Sequence, residues 1–139
     1  MAREAEHARE AFEQSVALMG NKASVISELW SIAGECEKPD WDGYGAAAID
    51  RASVRVAEQI IRALPNDVAM PEVTPEPDGH ISLDWIVSPH RVLSVSASPN
   101  GRLAVAWLNG SNRGHMVERF DGERIPAKIL TLIHEITQG

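Results

Sequence analysis

The stretch from Ile81 to Trp107 constrains this chain most, because apolar residues alternate along it and two turn signals fix how its pieces pair. Ile81, Leu83, Trp85 and Val87 share one face of a first strand, and Leu93, Val95 and Ala97 share one face of a second. A three-residue loop, Ser88-Pro89-His90, pairs Trp85 with Leu93 and Leu83 with Val95. Pro99-Asn100-Gly101 suits a type I turn closed by a left-handed glycine, and it pairs Val95 with Val105 and Leu93 with Trp107. A two-residue loop there would set the apolar stripes on opposite faces and is rejected.

The same register defines a second sheet face made of Ser82, Asp84, Ile86, Val92, Ser94, Ser96, Ala104, Ala106 and Leu108. These residues are mostly small or apolar, whereas a solvated face normally carries more Lys, Glu and Thr. Its cover is expected to be one of the chain's own helices; the alternative is another protein or a second copy of the chain. A fourth strand is expected near His115–Phe120, at the sheet edge because neither of its faces is cleanly apolar. The proline-rich connection 65–79 reads as an extended surface segment with room for a further short strand around Glu72–Thr74.

Helical periodicity dominates the first half. From Glu4 to about Cys36, Ala8, Phe12, Val16, Met19, Ala23, Ile26, Trp30 and Ala33 recur every three or four residues. Gly20-Asn21 allows either one bent helix or two, and residues 1–20 form an extended or frayed arm in this reading. Asp50 is placed to cap a second helix whose stripe, Val54, Ala57, Ile61 and Leu64, stops at Pro65. Pro126 opens a closing helix bearing Ile129, Leu132, Ile133 and Ile136. The fold class is therefore α+β in one domain, 1–139. Helices are expected at about 4–36, 50–64 and 126–137, around an antiparallel four-stranded meander at about 80–120.

Composition narrows the partners. The formal charge is −7, and fifteen acidic and seven basic side chains fall in residues 1–79 against five and six in residues 80–139. That balance disfavours nucleic acid, which needs clustered Lys and Arg. No apolar run approaches the roughly 20 residues of a membrane span, so no membrane contact is expected. The charged N-terminus lacks the apolar stretch of a secretory signal, and the lone Cys36 excludes an internal disulfide, so a cytoplasmic location is expected.

Trp41-Asp42-Gly43-Tyr44-Gly45-Ala46, taken with Pro77-Asp78-Gly79-His80-Ile81-Ser82-Leu83-Asp84-Trp85 and Leu93-Ser94-Val95, resembles a widespread group of small uncharacterised bacterial proteins. They share W-D-G-Y-G-A before a helix ending in L-P, then P-D-G-x-I-x-L-x-W, a strand reading L-S-V and a terminal helix. The resemblance covers about residues 40–136, departs at Ala48 where the group often has Pro, and implies a bacterial single-domain protein. It carries over no activity.

Candidate chemistry is sparse. Asp40-Trp41-Asp42-Gly43 has the start of a calcium loop, but the fifth and twelfth positions are Tyr44 and Arg51, so a turn built on Asp42 is preferred. Trp41 and Tyr44 are candidate contact residues because amphipathic rings favour interfaces. The histidines share no metal-ligand spacing. Ser82 and His80, with Asp84, lie on one strand, where the backbone positions of residues two apart are about 7 Å from each other, so no catalytic triad is expected. The Gly-rich stretches lack a phosphate-loop pattern.

No catalytic residue, metal or cofactor is assigned. The expected function is a non-catalytic interaction module, either a homodimer or a regulatory or accessory protein of a mobile-element or defence-type system. It would bind a protein partner or a second copy through Trp41, Asp42, Tyr44, Ile86, Val92, Ser94, Ala104, Ala106 and Leu108. Alternatives are a small-ligand binder or hydrolase using Asp40, Asp42, Asp78 and His80, or a nucleic-acid-associated regulator docking through Arg91, Arg102, Arg113, Arg119 and Arg124.

Overall fold

Alanine, glutamate and other good helix formers dominate the first 35 residues, and a single helix, α1 (Ala2–Glu35), runs through them and through Gly20-Asn21 without a break. The computed structural model describes the backbone of residues 2–138 and the side chains of Glu6, Arg9 and residues 21–138. The side chains of Ala8, Phe12, Val16 and Met19, and with them most of the arm expected at 1–20, lie outside the described residues.

Asp50 caps α2 (Arg51–Ala63) as its position in the sequence demands, its Oδ1 accepting from the Ala52 N–H at 2.8 Å. The helix ends at Leu64, before Pro65. Lys22 of α1 reaches this end and donates from Nζ to the carbonyls of Arg62 (3.1 Å) and Leu64 (2.6 Å). A cation there satisfies carbonyls that the helix leaves without partners.

Five antiparallel strands follow: β1 (Glu72–Pro75), β2 (Ile81–Ser88), β3 (Arg91–Ala97), β4 (Arg102–Asn109) and β5 (Asn112–Arg119). They form one sheet in sequential order, β1-β2-β3-β4-β5, and α3 (Ala127–Gln138) closes the chain. The sheet thus has five strands, not four. The additional one, β1, has four residues and carries Pro75, so the alternation that betrays a strand hardly develops. Paired with β2, Glu72 to Asp84 through Pro75 to Ile81, it protects that edge.

The central register is the one read from the sequence: Trp85 opposite Leu93, Leu83 opposite Val95, Val95 opposite Val105 and Leu93 opposite Trp107. The second turn has three residues, with Gly101 at φ 84°. The first differs. Ser88 pairs with Arg91, the turn is Pro89-His90, and the extra residue is absorbed in a bulge between Ile86 and Ser88. A bulge and a third loop residue shift the count equally, so every pair beyond it is unchanged.

Leu83, Trp85, Leu93, Val95, Leu103 and Val105 turn to one side and meet Val54, Ala57, Ile60 and Ile61 of α2 and Ile129, Ile133 and Ile136 of α3 in one core. α1 joins the same side against α2 and β1. Its core-facing residues among those described are Val25, Ile26, Leu29, Ile32 and Ala33, centred on the fully buried Leu29, with Cys36 buried just past the helix end. The expected stripe through Ala23 and Trp30 is corrected: Ala23 is exposed, and Trp30 sits on the rim. Periodicity alone does not separate neighbours about 100° apart. Leu29 has no polar atom, whereas the Trp30 indole N–H donates to Glu58 Oε1 at 2.8 Å and so favours the wet edge.

With α1, α2 and α3 all on the core side, no helix of the chain covers the second sheet face among the described residues. This corrects the expectation of an internal cover. Each helical stripe finds its apolar surface on the inner face, where Trp85 and the buried Leu and Val residues gather, and the opposite face offers a helix less to bury. No described helix is long and apolar enough to cross a membrane.

Candidate functional site

The uncovered face is ordered in rows that follow from the strand register. One row runs Thr74, Ser82, Ser96, Ala104, Val117; the next Glu72, Asp84, Ser94, Ala106, His115; the third Ile86, Val92, Leu108, Arg113. All six face residues singled out from the sequence, Ile86, Val92, Ser94, Ala104, Ala106 and Leu108, are therefore brought together. Ala104 and Ala106 are exposed, and so are Ile86 at 54% and Val117 at 53%. A shallow groove of about 490 Å³ crosses the face between Thr74, Asp84, Ser96, Ala106 and His115.

Polarity divides this face along its width. On the β1–β3 side, Asp84 accepts from Thr74 Oγ1 (2.8 Å) and from Ser82 Oγ (2.6 Å), and Glu76 accepts from the Ser96 hydroxyl across the sheet. The two carboxylates are thus held over the face by hydroxyl donors rather than waving in solvent. On the β4–β5 side stand the exposed Arg102, Arg113, His115 and Arg119 around Ala104 and Ala106. None of these basic residues makes an ion pair among the described residues.

Sequence reasoning missed the contribution of Thr74, Glu76, Arg113, His115, Val117 and Arg119 to this face. Gly110-Ser111, with Gly110 at φ 64°, is a two-residue turn that pairs Asn109 with Asn112 and so settles the register of β5. Weighing that turn as the other two were weighed would have placed the β5 residues. Glu76 lies beyond the end of β1 and gives no such signal.

Trp41, Asp42 and Tyr44 belong to no row of the open face and line no part of its groove. Asp42 Oδ1 accepts from the N–H groups of Tyr44 (2.8 Å) and Ala46 (3.1 Å), Asp40 Oδ1 from that of Gly45 (2.7 Å), and Gly43 and Gly45 take positive φ. Trp41 packs on the core and donates from Nε1 to the Ala47 carbonyl. Tyr44 is 93% exposed. The segment is a self-capped turn whose carboxylates are spent on backbone amides.

The Pro77–His80 turn is bound to the same segment. Ala47 N–H donates to Pro77 O at 2.8 Å and Asp50 N–H to Gly79 O at 2.9 Å. Gly79 has φ 92°, and a Cβ there would lie 2.8 Å from the Ala48 carbonyl oxygen, so only glycine fits. Asp78 accepts from the His80 N–H at 2.9 Å, and its other oxygen lies 3.3 Å from His80 Nδ1. The two motifs are therefore joined as a clasp. Asp40, Asp42, Asp78 and His80 line neither the open-face groove nor the surface cavities beside α1 and α3.

Among the described residues, two groups have displaced acidities. Burial, with Glu35 beside it, pushes the Cys36 thiol above its ordinary range. Backbone N–H groups of Arg124 and Glu123, each 2.8 Å from Asp121 Oδ1, hold the Asp121 carboxyl below the usual carboxylate range. No group of three or more His, Cys, Asp or Glu is placed to hold a metal ion among the described residues. Comparison of the chain with protein-family models, with curated proteins and with solved structures found no match.

Proposed function

We propose that the chain is a non-catalytic protein–protein interaction module and that the open face of the sheet is its binding surface. One observation carries this reading: three helices stack on one side of the sheet, while the other side presents Ala104, Ala106, Ile86, Val92, Leu108 and Val117 with no layer over them among the described residues. Small side chains let a partner approach the backbone closely, and the apolar end supplies area to bury. The engagement of Asp40, Asp42 and Asp78 in turn hydrogen bonds favours this reading over a ligand-binding or hydrolytic one.

A photo-crosslinking amino acid at Ala106 on the open face, compared in cells with one at the exposed Arg55 of α2, tests the reading. A discrete protein adduct is expected from position 106 and not from position 55. Equal labelling from both positions, or none from either, would refute it.

A further inference from the structure

We infer that the partner on the open face is a second copy of this chain, docked about a two-fold axis that runs parallel to the strands and passes between β3 and β4. The inference rests on reading this face as an interaction surface, and it adds occupant and geometry. Such an axis lays β3 of one copy over β4 of the other and β2 over β5 while keeping each row in place. Asp84 then faces His115 of the partner subunit, and Val92 faces the partner's Leu108. Glu76, drawn across the sheet by its hydrogen bond to Ser96, lies near the partner's Arg102 and the partner's Arg119.

Charge chooses this orientation. An axis running across the strands would set each strand over its own copy, acid over acid and arginine over arginine, and like charges in contact oppose association. The axis along the strands instead puts the hydroxyl-and-carboxylate half of one face into the alanine trough of the other, and symmetry repeats every contact. Four facing strands about 4.8 Å apart, overlapping for about seven residues of about 3.3 Å each, give on the order of 450 Å² of sheet per copy. A standard interface buries about 800 Å² per partner, so this contact belongs with the small, weak interfaces, and a micromolar, concentration-dependent association is expected.

Sedimentation equilibrium of the full chain over about 1 to 500 µM brackets that range. A reversible monomer–dimer equilibrium is expected. Glu76→Arg alone, and Arg102→Glu with Arg119→Glu alone, should each weaken self-association about tenfold or more, whereas the two chains mixed one to one should associate to within about threefold of wild type, because both contacts are then opposite in sign. Misfolded chains would not rescue each other. A wild-type chain that stays monomeric across the range, a dimer unmoved by either reversal, or a mixture that fails to associate overturns the inference. A monomer that still gives a position-106 adduct with a different protein would sink the self-association and leave the interaction reading standing.

Discussion

Removing the Ser53 hydroxyl perturbs the joint that holds α2 to the sheet. Ser53 is fully buried; its Oγ accepts from the Ile81 N–H at 3.0 Å and donates to the Ala97 carbonyl. Ile81 and Ala97 are themselves fully buried and stand opposite each other where β2 meets β3. Ser53→Ala would strand both backbone groups. One vacated oxygen site is too small for a replacement water.

Each buried group left without a partner costs about 1–3 kcal/mol, so a loss of about 2–6 kcal/mol is expected for the pair, a large share of the ~5–15 kcal/mol that holds a domain together. For a chain of this length that corresponds to a fall in Tm of roughly 7–20 °C. Urea unfolding should move its midpoint with an unchanged slope, and Thr131→Ala, which removes an exposed hydroxyl bonded within α3, should change stability by less than about 0.5 kcal/mol. A Ser53→Ala loss no larger than that of Thr131→Ala would refute the reasoning.

Other outcomes follow from the same geometry. A Cβ on Gly114 would lie 2.4 Å from Trp107 Cζ2, so Gly114→Ala should cost about 1–3 kcal/mol in urea unfolding, with most of it recovered in the Gly114→Ala, Trp107→Leu double variant. Asp50→Ala should cost about 1 kcal/mol by removing the α2 cap, read from the same transition. Asp121 has a lower pKa folded than unfolded, so the stability it contributes is present above the unfolded value and fades as pH falls through the lowered native one; the gap between wild type and Asp121→Asn should close over that interval, and carboxyl NMR should place the native midpoint below that of a free aspartate. Cys36, buried with a raised pKa, should react with a thiol reagent at neutral pH only as the chain opens, so native labelling should be much slower than labelling in urea.

How far the sequence reached depended on whether a local rule had a sharp physical basis. Asp50 followed by a stripe and then Pro65 located α2 almost to the residue, because capping and the missing proline N–H act within a turn of helix. The stripe of α1 was misjudged by one position, since Leu29 and Trp30 are equally apolar by pattern and only packing against α2 selects between them. β1 was barely legible because it is a strand by virtue of its neighbour β2, not of its own alternation.

For β2, β3 and β4 the residues of the open face were legible in the sequence, since strand alternation and the register read from two turns determine which residues share a side, whereas Thr74, Glu76 and the β5 residues were placed by the structure. That the face is open was decided only in three dimensions. All three helical stripes gain more by meeting the wide inner surface around Trp85, Leu93 and Val105 than by dividing between the two sides, and no local pattern encodes that competition. The arrangement of carboxylates opposite arginines has the same origin. Glu76 reaches Ser96 only because β1, β2 and β3 are laid side by side, and that places an acid from one end of the meander over its middle.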